Sequence, residues 1–170
     1  MTIEIPSEAP GRWLQALAVL LVVGSGVTSG VFFAFSTFVM AALARLPSWQ
    51  GLSAMNAISV TAVNPLFMLA LFGTALGCLA IIPMSLREAS GLPALCLIAA
   101  ALIYVLAVPG VTMVANVPLN DGLAVFDSTR QDIDVVWPGY LRDWGFWNHV
   151  RTVGGLVSTT LFALALVRLK

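Results

Sequence analysis

Residues Trp144–Lys170 read WGFWNHVRTVGGLVSTTLFALALVRLK, and this stretch decides the fold. It has the apolar character of a membrane helix, yet only residues 152–167 are free of charge. That run spans about 24 Å at about 1.5 Å per residue, against a hydrocarbon core of about 30 Å, so the helix must begin upstream. A helix over 144–168 carries Asn148, His149 and Arg151 into the bilayer or to its edge. An ionisable side chain at that depth faces a polar interior or a partner more readily than lipid, which makes a functional site the working hypothesis. Trp144, Asn148, Arg151 and Gly155 follow the i, i+4, i+7, i+11 spacing of one helical stripe, and His149 lies on a neighbouring face about 100° round from Asn148.

Outward from this segment, three further uncharged runs, 13–44, 46–86 and 89–120, are each long enough to hold a spanning helix. The chain is 59% hydrophobic and 9% charged, with mean hydropathy +0.97, far from a soluble domain. These features predict an all-α, multi-pass integral membrane protein. Residues 1–170 form a single membrane domain, a four-helix bundle with helices at about 13–43, 65–86, 93–117 and 144–168. One long polar loop, over 118–143, joins the third and fourth helices. Asn64 and Pro65 read as N-cap and first residue of the second helix. Pro109 predicts a bend in the third. The segment 47–63 reads as a short helix after Ser48 lying in the interface, or as a re-entrant piece. Two GxxxG pairs, Gly26/Gly30 and Gly73/Gly77, predict helix contacts, because backbones approach closely where side chains are small.

The N-terminus carries two Glu before its first Arg and lacks a signal-peptide pattern, so the first helix is expected to be retained. Four alternating helices put both termini on one side of the membrane. The basic residues then split evenly, Arg12, Arg87, Arg168 and Lys170 against Arg45, Arg130, Arg142 and Arg151. Discounting Arg151 as buried tips the count to cytoplasmic termini. The zero formal net charge argues against a nucleic-acid partner. Cys78 and Cys96 have no CxxC spacing and read as packing residues. With one histidine and no acid inside a predicted helix, a metal centre would need loop aspartates or a second subunit, and a bis-histidine haem within one chain is excluded. No cofactor is therefore expected, and a haem or metal would have to be shared between subunits of a homo-oligomer, which the sequence leaves open.

The alternating topology brings Asn64, Asn116, Asn120 and Asp121 to the same membrane face as Trp144, Asn148, His149 and Arg151. An arginine there offers a fixed fork of donors and a permanent charge, suited to an oxyanion, a carboxylate or a phenolate. A structural salt bridge from Arg151 to Asp121 or Asp143, or snorkelling to the interface, is the alternative. Phe32, Phe33, Phe35 and Phe38 contact lipid and core, or else line a pocket for a flat aromatic molecule.

Four segments in this order, FFAFSTFVMAAL (32–43), AVNPLF (62–67), TMVANVPLND (112–121) and WPGYLRDWGFWNHVRT (137–152), resemble the anthrone oxygenase-like family of small four-helix membrane proteins. The resemblance covers the chain from roughly Gly24 to Thr160, and its most specific elements are NVPLND and WNHVRT. The family's characteristic polar residues correspond to Asn64, Asn116, Asn120, Trp144, Asn148, His149 and Arg151. The chain departs from the family pattern at Ala41, where a proline is frequent, and at Asn56 and Ser59, where Gln and Asn are frequent. The resemblance implies a membrane-embedded, oxygenase-like oxidoreductase acting on an apolar polycyclic phenol, anthrone or quinone-type molecule. In that scheme Arg151 holds an enolate oxygen, Asn116 and Asn148 donate further hydrogen bonds to it, and Asp121 or His149 is the base. Trp144, Trp147 and Phe35 sandwich the rings, with Asn64 and Asn120 also at the substrate. The rival is a non-enzymatic membrane protein that binds a hydrophobic or anionic ligand or a lipid, with Arg151 as anion anchor.

Overall fold

In lipid every backbone polar group must be satisfied within the protein, so the long uncharged runs become helices. The structure, a computed structural model, describes residues 11–126 and 132–169. Four helices are long and apolar enough to cross a membrane: α1 (Arg12–Leu43), α3 (Pro65–Glu88), α4 (Gly91–Ala124) and α5 (Ile133–Arg168). A shorter helix, α2 (Ser48–Ala62), connects α1 to α3. Asn64 caps α3 as its sequence predicts: Oδ1 accepts the Phe67 amide at 3.0 Å, and Pro65 takes the first turn.

The spanning helices form an antiparallel ring in which α1 and α4 each pack against both α3 and α5. Hydrogen bonds fix the register. The Gly11 amide donates to Glu88 at 3.1 Å, Thr159 donates to Ser25 at 2.8 Å, and Ser158 donates to the Ala100 carbonyl at 2.8 Å. Arg12 and Arg168 therefore stand at the same end. The core of the ring includes Leu14, Leu21, Leu97, Tyr104 and Phe162, along with both free cysteines. Large apolar side chains such as Leu20, Leu66, Leu106 and Val114 point outward, as they must in a helix surrounded by hydrocarbon.

Two sequence expectations change. The polar connection over 118–143 is mostly helix, since α4 continues to Ala124 and α5 begins at Ile133. Asp127 and Arg130 fall outside the described residues. The helix begins early because Ile133, Trp137, Tyr140 and Trp144 share a stripe that buries against Leu43, Leu52, Met55 and Leu123. This second apolar cluster closes one end of the bundle, and α2 forms its roof.

The glycine contacts also differ. A Cβ at Gly77 would meet Leu21 at 2.9 Å, and one at Gly26 would touch Thr159 at 3.8 Å, so both lie at helix crossings. Gly73 faces Leu69 of its own helix, and a Cβ at Gly30 would meet nothing within 4 Å. Ser25 and Ser29, at the same spacing one residue earlier, are the buried pair on α1. The closest approaches belong to glycines outside either motif: Gly24 against Thr74, Gly154 against Ala107 and Gly155 against Ser29. Gly30→Leu is accordingly expected to leave monodisperse yield in detergent unchanged, whereas Gly77→Leu lowers it. Equal loss from both would place Gly30 in a contact.

Candidate functional site

The polar stripe on α5 meets the other helices where their backbones depart from α-helical spacing. Residues Phe35–Val39 of α1, Leu69–Gly73 of α3, and Leu106–Gly110 and Thr112–Asn116 of α4 are π-helical turns. Pro109 sits in the third of these, so the predicted bend takes this form. A π-turn widens the helix and leaves a carbonyl open to another partner, and such turns occur frequently at functional sites. Tyr104 Oη donates to the Leu71 carbonyl at 3.3 Å, and Asn148 Nδ2 donates to the Phe32 carbonyl at 2.8 Å.

Between α2 and these turns lies a cavity of about 240 Å³ to which all five helices contribute. Phe32 and Phe35 come from α1, Met55 and Ser59 from α2, Phe67 and Leu71 from α3, Thr112 and Asn120 from α4, and Trp144 and Arg151 from α5. An apolar cavity of about 150 Å³ is enough to hold benzene, so this one has room for a larger fused aromatic molecule.

Arg151 is 4% exposed and has no carboxylate partner among the described residues. Its Nη2 donates to Asn148 Oδ1 at 2.8 Å and its Nη1 to Thr112 Oγ1 at 3.2 Å. The guanidinium carbon lies 4.2 Å from the Phe32 ring centre and 5.0 Å from that of Trp144. Its Nε has no protein acceptor. The salt-bridge alternative fails on geometry: Asp143 is paired with its neighbour Arg142 at 2.7 Å, and Asp121 is exposed. Burying a charge is costly unless it is paired, and here neutral dipoles and ring faces are all the described protein offers.

Asn148 fixes the guanidinium. Its amide nitrogen gives one hydrogen to the Phe32 carbonyl and another to Ser36 Oγ, each at 2.8 Å, so its oxygen is held toward Arg151. Ser36 also lies 2.9 Å from both Thr152 Oγ1 and His149 Nδ1. Thr152 gives its proton to the Asn148 carbonyl at 2.9 Å, so Ser36 donates to Thr152 and accepts from Asn148 and from His149. Counting donors thus puts a proton on His149 Nδ1 and leaves Nε2 on the exposed face.

The cavity wall holds five of the residues singled out from sequence: Arg151, Trp144, Asn120, Phe32 and Phe35. Asn148 and Asn116 stand behind it, Asn116 donating to the Trp144 carbonyl at 3.2 Å. Trp147 is exposed and stacks edge-on with Phe146 at 5.2 Å. His149, Asp121 and Asn64 are exposed and not part of the lining. The phenylalanines divide, with Phe32 and Phe35 in the wall and Phe33 and Phe38 exposed. Thr112, Ser36 and Ser59 were not legible as site residues, because a lone hydroxyl in an apolar helix gives no sequence signal. Among the described residues, no three His, Cys, Asp or Glu side chains group closely enough to hold a metal.

The sequence profile of the anthrone oxygenase family matches residues 55–161. The chain belongs to that family. No curated protein and no solved structure gives a match. In this anthrone oxygenase family member the matched segment takes in most of α2, all of α3 and α4 and most of α5. It includes Arg151, Asn148 and Thr112, whereas Phe32, Phe35 and Ser36 come from α1, which precedes it.

Proposed function

We propose that this protein is a membrane-embedded oxygenase that binds an apolar polycyclic anthrone or phenol as its anion and delivers it to molecular oxygen. The observation that carries the reading is Arg151, a buried cation without a carboxylate among the described residues, in a cavity where Trp144 and Asn120 add further donors. Arg151 Nε and Trp144 Nε1 are buried without acceptors. Asn120 Oδ1 accepts the Tyr140 hydroxyl at 2.8 Å, which leaves its amide hydrogens for a ligand. No acidic side chain lines the cavity among the described residues. An enolate or phenolate oxygen supplies the missing charge, and the apolar wall strengthens that attraction by excluding water.

In the reaction, an anthrone loses a proton from its methylene carbon, and the enolate gives an electron to oxygen. The radical pair combines in a carbon–oxygen bond, and the resulting hydroperoxide loses water. One oxygen atom ends in the new carbonyl and the other in water, so methylene and O₂ become quinone and H₂O without a cofactor. Arg151 lowers the cost of ionisation. With no carboxylate or imidazole in the wall among the described residues, the proton leaves to water. Val63, Phe72 and Met113 line the cavity yet are 71%, 38% and 55% exposed, so a lipid-dissolved substrate reaches the cavity between α3 and α4.

Purified protein in detergent, given a simple anthrone, is expected to consume one O₂ per quinone formed, and to show no visible absorbance before substrate is added. Tight binding without oxygen uptake would instead make the protein a binder of apolar anions. A haem or flavin spectrum would overturn the cofactor-free scheme.

A further inference from the structure

The mechanism uses one end of the cavity and leaves Ser59, on the α2 roof, unexplained. A serine or threonine inside a helix satisfies its hydroxyl by bonding back to the carbonyl one turn earlier. This protein follows that habit widely: Ser25, Ser29, Ser85, Thr112 and Thr160 all donate to the carbonyl at i−4, at 2.6 to 2.8 Å. Thr61, two residues further along α2, does so at 2.8 Å. Ser59 neither bonds back in this way nor finds another partner among the described residues. Its Oγ is buried, and the residue lines the cavity. A buried hydroxyl left unpaired costs free energy, although the second lone pair of the i−4 carbonyl on its own helix is what the other hydroxyls use.

Ser59 is also separate from the anion end. Arg151, Trp144 and Asn148 belong to α5, and Arg151 is held from α4 by Thr112, whereas Ser59 hangs from α2 among Met55, Ile58 and Ala62. The cavity thus carries, besides Arg151, a second and neutral polar residue contributed by a different helix.

We propose that Ser59 is a specificity-determining residue that hydrogen-bonds a second oxygen of the ligand, so the cavity selects fused aromatic phenols oxygenated on two separate edges over those with one oxygen. The inference rests on the reading of the cavity as a phenol or anthrone site. It adds a requirement that Arg151 alone does not impose. A hydrogen bond formed here replaces an unpaired buried group, and its contribution corresponds to about a tenfold preference.

The test uses 2-naphthol and a set of dihydroxynaphthalenes with the second hydroxyl at positions 5, 6 or 7, titrated by their own fluorescence into the full-length protein in detergent. The wild type is expected to bind the best diol about tenfold more tightly than 2-naphthol. In Ser59→Ala the ratio is expected to fall to about one, and Ser59→Thr, which restores a hydroxyl, is expected to recover part of it. Arg151→Gln weakens the diol and the naphthol together. A diol preference that survives Ser59→Ala overturns the assignment of Ser59 and leaves the anion site standing. If neither phenol binds the wild type, or Arg151→Gln leaves both affinities unchanged, the phenol reading itself fails and the role of Ser59 falls with it.

Discussion

Arg151→Gln is expected to reduce anthrone turnover, or affinity for a phenolate ligand, by roughly 10²–10³-fold, the usual loss when a single oxyanion donor is removed. Arg151→Lys is expected to recover little of it. Lysine keeps the charge, but it cannot bond Asn148 and Thr112 at once while lying between the Phe32 and Trp144 rings, as the planar fork does. The effect on stability should run the other way. An unpaired buried guanidinium raises the energy of the folded protein, so its neutral replacement should unfold in detergent at the same temperature or a few degrees higher. Loss of function together with retained or raised stability identifies a residue kept for its chemistry. A drop in unfolding temperature for both variants would make Arg151 structural, and full turnover in both would make it idle.

Gly154→Leu is expected to abolish most folded yield. Gly154 and Gly155 are adjacent on α5 and face different neighbours, so one admits α4 and the other α1. A Cβ on Gly154 would run into the Ala107 Cβ, which is fixed to the α4 backbone and has no rotamer by which to escape, so α4 itself would have to shift. Overpacking costs typically about 1–3 kcal/mol where side chains can adjust, and a methyl that cannot rotate away puts this substitution at or above that range. The gain in helix propensity from replacing glycine, about 0.8–1.0 kcal/mol, does not offset it. Gly154→Ala should be milder, and Ala107→Gly should rescue it by removing the methyl it meets. Wild-type yield for Gly154→Leu, or no rescue of the alanine variant, would mean the helices do not cross there.

Much of the site was legible because helical phase is a local property. The stripe of Trp144, Asn148, Arg151 and Gly155 follows from spacing alone, and all four are buried while His149 faces outward. The partner of Arg151 was not legible. Asp121 and Asp143 fit by membrane depth, but Asp143 prefers its own neighbour, and the groups that hold the guanidinium besides Asn148 are Thr112 and two rings. Ser36 shows the same limit: it organises Asn148, His149 and Thr152 from a helix more than a hundred residues away, and nothing around it in the sequence marks it. The roof was underestimated too, because α2 is only modestly apolar and its role comes from packing across α4 and α5.

By itself the sequence determined that the chain is a bundle of four membrane helices with an arginine in the bilayer or at its edge. Hydrophobic run length and residue spacing are set by the bilayer and by helix geometry, and neither needs a neighbour. Only the tertiary structure decided which glycines lie at crossings, where α4 ends and α5 begins, and which donors face the cavity. Those depend on the rotation of each helix against the others and on where π-turns shift that rotation by a fraction of a turn, and no local pattern encodes them.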